Sequence, residues 1–134
     1  MRRLGIDTNV LLRLIVDDDP KQRRIVMDFG SQLNREYRGV VTLVSLLEMD
    51  WALRSQYGYP RRQSIAAIRK IMQIRGVEVE CHDVVARALL LVDVENADFA
   101  DALICGRAAD LGSEKTVTLD RKAARRIPMM ELLA

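Results

Sequence analysis

Leu4-Gly5-Ile6-Asp7-Thr8-Asn9-Val10-Leu11-Leu12-Arg13 changes its periodicity part-way along. The short apolar run from Leu4 to Ile6 ends at Asp7. From Thr8 onward the apolar residues Val10, Leu11, Leu14 and Ile15 recur at helical spacing. This pattern predicts strand, turn and helix, and leaves Asp7 at the carboxyl end of the strand.

The rest of the chain repeats this alternation. Asp17-Asp18-Asp19-Pro20 stops the first helix and starts a second, because Asp19 can cap while Pro20 fills the first helical position, where its missing N–H costs nothing. Ile25, Phe29 and Leu33 place an apolar stripe on that helix, which should end before Gly39. Val40, Val41, Leu43 and Val44 read as one strand buried on both faces. Ser45 then opens a third helix reaching Gln56, and Tyr57-Gly58-Tyr59-Pro60 leads into a fourth that carries Ile65, Ile68 and Met72 on one side. Gly76 stops that helix, Val77 to Cys81 form a short strand, and Asp83 caps a fifth helix bearing Val85, Ala88, Leu89 and Val92. A sixth helix is expected from Asp98 to Leu111, followed by a strand from Thr116 to Leu119 and a short helix between Asp120 and Pro128. Met129 to Leu133 can add an edge strand. Strands alternating with helices through short connections predict an α/β fold, a three-layer α/β/α sandwich with a mainly parallel central sheet.

The chain has 134 residues, 49% of them hydrophobic and 30% charged, which suits one domain over residues 1–134. Such a chain buries roughly two-thirds of the surface it would expose unfolded. No apolar run approaches the length of a membrane span, and Met1-Arg2-Arg3-Leu4 enters a charged segment with no signal-like apolar core. A cytoplasmic protein is the expectation. Cys81 and Cys105 stand apart among apolar or helical neighbours, and read as reduced core residues and not as a disulfide or zinc framework. Net charge is only +2, yet 17 of the 21 basic residues are Arg. Doublets such as Arg61-Arg62 and Arg125-Arg126 are compatible with nucleic-acid binding, since arginine pairs bidentately with phosphate and stacks on bases. An Arg-rich solvated surface explains them equally well.

Ligands of open parallel sheets bind beyond the carboxyl ends of the strands. Asp7 follows the first strand, Glu48 lies one turn into the helix after the second buried strand, and Asp120 follows the Thr116 to Leu119 strand. Asp98 and Asp101, in Ala97-Asp98-Phe99-Ala100-Asp101-Ala102, open a helix and are a further source of acid. Carboxylates gathered at one edge repel one another unless a cation sits among them. With one lone histidine, His82, and two separated cysteines, the natural partner is a hard divalent ion, Mg²⁺ or Mn²⁺. Acid-only sites of this kind serve phosphoryl chemistry, in which divalent ions generate hydroxide, screen phosphate charge and stabilise the leaving oxygen.

Each acid also has a structural reading. Ser45-Leu46-Leu47-Glu48 fits the capping box S-x-x-E, and for this fragment alone capping is the favoured interpretation. Asp98 with Asp101 resembles a cap followed by a favourable first-turn acid, and Asp120 can cap the helix after it. Asp7, followed by Thr8-Asn9, is harder to reduce to structure. The joint placement of all four segments is what favours function.

Four ordered segments carry a family resemblance: Gly5-Ile6-Asp7-Thr8-Asn9-Val10-Leu11-Leu12-Arg13, Ser45-Leu46-Leu47-Glu48, Ala97-Asp98-Phe99-Ala100-Asp101-Ala102-Leu103-Ile104 and Thr118-Leu119-Asp120. With them the chain resembles a PIN-domain ribonuclease, and most closely a VapC-type toxin of a bacterial toxin–antitoxin pair. The resemblance implies Mg²⁺- or Mn²⁺-dependent endoribonuclease activity, 5′-phosphate and 3′-hydroxyl products, a homodimer, and inhibition by a small VapB-like antitoxin. It also implies that Asp7, Glu48, Asp101 and Asp120 are the catalytic, metal-holding quartet, with Asp98 an additional nearby carboxylate and Asn9 and Thr118 in support. Asp7 and Asp101 are the first choice for direct metal contact. Whether Asp98 or Asp101 faces the metal stays open, since positions three apart share a helix face.

Two other readings compete with this one. A phosphoacceptor signalling domain needs an acidic pair at the first strand end and a strand-end Lys, where this chain has Asp7-Thr8-Asn9 and Asp120. A noncatalytic nucleic-acid-binding or scaffold protein of the same fold is the alternative to the nuclease, and the intact acidic set argues against it.

Overall fold

The computed structural model describes residues 1–134, which divide into two compact units, Met1–Glu80 and Cys81–Ala134. The first unit contains β1 (Arg2–Gly5), α1 (Thr8–Ile15), α2 (Pro20–Ser31), β2 (Tyr37–Val41), α3 (Leu43–Ser55), α4 (Arg61–Gln73) and β3 (Val77–Val79). Its sheet runs β1-β2-β3 with both pairs parallel, Leu4 opposite Gly39 and Gly39 opposite Val77. Parallel neighbours cannot be joined by a tight hairpin, so helices carry the chain back between them. Helix α1 packs on α2 and α3, and α3 packs on α4. Leu11, Leu46, Met49, Leu53, Ile68 and Ile71 are fully buried.

The strand–turn–helix predicted from Leu4 to Arg13 forms, with Ile6 buried between the strand and Asp7. Asp19 caps α2 by accepting from Gln22 N, and Pro20 is its first residue, as the sequence predicts. The stripe on α2 is rotated from the expected one. Val26 is the buried residue, Phe29 is half-buried, and Ile25 is exposed beside the groove between α1 and α2.

A larger correction falls between Val40 and Glu48. The predicted strand continues through Val44, but β2 ends at Val41, and Leu43 and Val44 already belong to α3. Thr42 is the reason. Its backbone is extended, and its hydroxyl accepts a hydrogen bond from Ser45 N at 3.2 Å, while Glu80 Oε1 accepts from Leu43 N at 2.8 Å. Two of the helix's orphan donors are thereby satisfied, so the Ser45–Glu48 capping box does not form. Val44 is 68% exposed as a consequence.

Helix α3 is fixed to α4 by a polar contact. Asp50 is only 2% exposed, and its two oxygens take hydrogen bonds from Ser64 Oγ at 2.5 Å and Arg54 Nη2 at 2.9 Å. A buried carboxylate left without such partners would destabilise the core strongly. Arg13 has the matching role for α1: its hydrogen bond to the Tyr57 hydroxyl, with the charge and hydrogen bond of Asp18, raises its pKa, and with a further bond to Gln22 these ties hold α1 to α2, to the loop before it and to the end of α3.

Gly76 has φ of +90°, and a Cβ there would lie 2.6 Å from the backbone nitrogen of Asn34. Gly76→Ala therefore meets a left-handed backbone and an immovable neighbour together. It is expected to lose at least about 1 to 2 kcal/mol of stability, measured by denaturant unfolding.

On the sheet, Glu78 faces both Arg3, at 2.6 Å, and Arg38, at 3.0 Å. The hydrogen bond from Arg3, with the charges of both guanidinium groups, holds the Glu78 carboxyl below the usual glutamate range. A carboxylate whose pKa falls on folding stabilises the native state above its unfolded pKa, and that contribution disappears as pH falls through the folded value. Glu78→Gln should accordingly be less stable than the wild type at neutral pH, with the gap closing in thermal melts as the pH drops through and below the glutamate range. Because the pair is exposed to water, the gap is small.

The second unit contains α5 (His82–Glu95), α6 (Phe99–Asp110), β4 (Thr116–Thr118), α7 (Arg121–Arg126) and β5 (Met130–Leu132). Strands β4 and β5 pair in parallel, α5 packs along α6, and Val84, Val85, Ala88, Ala102 and Leu103 of these helices are buried. Asp83 does not cap α5. The helix starts after Cys81, which has φ of 49° and makes no side-chain cap, and Asp83 lies in the first turn, where its charge suits the helix dipole. Cys105 is a buried free thiol, as read from the sequence, whereas Cys81 is only half-buried. The predicted strand ends one residue early, at Thr118, and Leu119 is 78% exposed. No helix is long and apolar enough to cross a membrane.

Candidate active site

The first unit brings Asp7 and Glu48 to one cleft. Asp7 is placed by the end of β1 and caps α1, its Oδ2 accepting from Asn9 N at 3.3 Å. Glu48 projects from α3, and its Oε1 accepts from Thr8 Oγ1 at 2.8 Å. The packing of α1 on α3 is what makes this contact between residues forty positions apart. Asp7, Thr8, Asn9, Glu48, Trp51 and Gln56 line a cleft of about 230 Å³, with Leu12 and Ala52 also on its wall.

Capping and chemistry do not exclude each other here. A carboxylate has two oxygens, and at Asp7 and Glu48 only one of them is engaged by the protein. Neither forms a salt bridge, and no Lys or Arg lines the cleft, so the two negative charges face it uncompensated. The donors are oxygens throughout: two carboxylates, the Thr8 hydroxyl and the Asn9 and Gln56 amides. Such a set fits a hard divalent cation, and Mg²⁺ needs only one or two carboxylates because it keeps several waters. Within neither unit do three or more His, Cys, Asp or Glu side chains form a ready-made ligand cluster.

In the second unit the remaining acids all stand at helix starts. Asp98 caps α6, its Oδ2 accepting from Asp101 N at 3.1 Å, and Asp101 is in the first turn. Asp120 caps α7 through Oδ1, which accepts from Ala123 N at 3.0 Å. Thr118 Oγ1 accepts from Asp120 N at 3.0 Å and so fixes the turn that carries this acid. Asp98→Ala removes a cap and is expected to cost roughly 0.5 to 2 kcal/mol in thermal unfolding, whereas Asp98→Asn, which caps equally well, should restore most of it.

The sequence reading missed three cleft residues, Thr8, Trp51 and Gln56. Trp51 was within reach, since it lies three positions after Glu48 on one helix and so shares its face. Thr8 holds Glu48 only through the packing of α1 on α3, which local spacing does not encode.

A parallel α/β fold in which Asp7, beyond the first strand, and Glu48, on α3, line one cleft offers the oxygen ligands that suit a hard divalent cation. The PIN domain family model matches residues 5–128, nearly the whole chain, and the chain belongs to that family. PIN domains are generally nucleases, which gives nuclease activity at the level of the family. No curated protein matches the sequence.

Proposed function

We propose that the protein is a Mg²⁺- or Mn²⁺-dependent endoribonuclease and the toxin of a VapC-type toxin–antitoxin pair. The observation that carries the nuclease reading is the cleft in which Asp7 and Glu48 each keep one carboxylate oxygen free, in a chain matched by the PIN domain over residues 5–128. We further propose that the two units make up one PIN-like domain, which the unbroken family match supports.

In this reading Asp7 would hold the cation and Glu48 the attacking water, with Asp101 and Asp120 as the further carboxylates of the reaction and Asp98 chiefly a cap. The cation supplies Lewis-acid chemistry at the phosphodiester and lowers the pKa of attacking water. Asp7 is held by the Asn9 N–H with its second oxygen turned to solvent. Glu48 Oε1 is fixed by Thr8, which leaves Oε2 to orient the attacking water and accept its proton. Attack at phosphorus breaks the P–O3′ bond, and the 3′ oxygen leaves as a hydroxyl after taking a proton from solvent water, while Glu48 returns the proton it accepted to solvent, giving 5′-phosphate and 3′-hydroxyl ends. An RNA loop is a better substrate than a helix, because its bases and phosphates can be splayed into a cleft.

The toxin role rests on the resemblance, and implies a homodimer in the cytoplasm and a VapB-like antitoxin whose basic side chain neutralises the acidic site. Incubation with total cellular RNA in Mn²⁺ and in EDTA, with mapping of the cut ends, tests the nuclease. Discrete internal cuts with 5′-phosphate ends, absent in EDTA, are expected; intact RNA under both conditions would refute the reading. Copurification with a small partner that suppresses cutting tests the toxin role separately.

A further inference from the structure

We infer that Trp51 is the platform on which an unpaired nucleobase of the RNA stacks while the adjoining phosphodiester is cut, an inference that rests on the nuclease reading of the Asp7–Glu48 cleft. Trp51 is 60% exposed, although an indole gains more from burial than almost any other side chain. It lines the same cleft as Asp7 and Glu48, one turn from Glu48 along α3.

The cleft's charge argues for a base as the occupant. Asp7 and Glu48 repel RNA phosphates wherever the cation of the proposed function does not screen them, and no cationic side chain lines the wall to offset this. Affinity at the cleft beyond what the cation supplies must then come from neutral contacts. A π-face suffers no such repulsion, and every base has one, so stacking on an aromatic ring tolerates any sequence. The Asn9 and Gln56 amides, which line the same cleft, can bond the edge of a stacked base. An apolar protein partner fits less well. On this face of α3 exposed Val44 and Trp51 are separated by the Glu48 carboxylate, which a hydrophobic interface would have to desolvate.

Trp51 is the chain's only tryptophan, so its fluorescence reports on this site alone. Rapid mixing of the whole protein with a short oligouridylate in Mg²⁺ should quench that fluorescence before cleavage develops. Trp51→Ala should raise KM for a single-stranded RNA by roughly tenfold to a hundredfold with little change in kcat, and Trp51→Phe should recover most of the loss. Circular dichroism and melting should be unchanged in both, as the ring lies on the surface. Absence of quenching by RNA overturns the inference whatever the cleavage assay shows. A wild-type KM in Trp51→Ala, with Asp7→Asn inactive, removes the stacking role and leaves the nuclease standing. A fluorescence change that follows protein concentration and ignores RNA would assign Trp51 to a contact between protein chains, and equally overturns it.

Discussion

Asp7→Asn is expected to lower RNA cleavage by at least about a hundredfold while leaving the melting temperature unchanged. The substitution separates the two roles of this residue. Asparagine caps a helix as well as aspartate does, so the hydrogen bond from Asn9 N survives and α1 keeps its start. What disappears is the negative charge on the oxygen that faces the cleft. An amide oxygen is a weaker ligand for a hard divalent cation and offers no charge to offset it. Cleavage at the wild-type rate by a folded Asp7→Asn protein would show that the site has been misplaced.

Glu48→Gln is expected to lose about a hundredfold in kcat, again without loss of stability, a size typical of a missing general base. Had Glu48 belonged to a capping box, glutamine could have replaced it and activity would survive. The structure removes that escape, because Thr42 and Glu80 satisfy the donors at the start of α3 and Glu48 is bonded to Thr8 instead. Glutamine can still accept from the Thr8 hydroxyl, so the side chain stays in place. It cannot take a proton from water. Kinetics on a defined RNA and a thermal melt of the same preparation decide the matter, and an active, stable Glu48→Gln would restrict Glu48 to a structural part.

These two residues also show where the sequence was legible. The strand–turn–helix around Asp7 follows from an abrupt change of period, and the structure reproduces it because local apolar spacing and a short capping side chain agree. At Glu48 local signals conflicted. Val40 to Val44 is so rich in β-branched and apolar residues that Thr42, the actual cap, looked like part of a strand, and Ser45 inherited its role. The error moved the helix start by three residues but left Glu48 in its first turns, on a face that includes Trp51. Ile25 was misplaced for a related reason. Val26 and Ile25 are adjacent and equally apolar, and only the packing of α2 on α1 decides which one is buried. The Asp50–Ser64–Arg54 contact was not anticipated, since nothing local distinguishes a buried aspartate from a solvated one.

Whether these carboxylates act through a divalent cation is decided by the initial rate of cleavage of one end-labelled RNA as Mn²⁺ is titrated into metal-free protein. No cleavage is expected in EDTA, with a rate that rises and saturates with Mn²⁺ for the wild type and a flat response for Asp7→Asn over the same range. A wild-type rate that is undiminished by EDTA, or a saturating Mn²⁺ curve for Asp7→Asn that matches the wild type, would contradict cation-dependent action of these carboxylates.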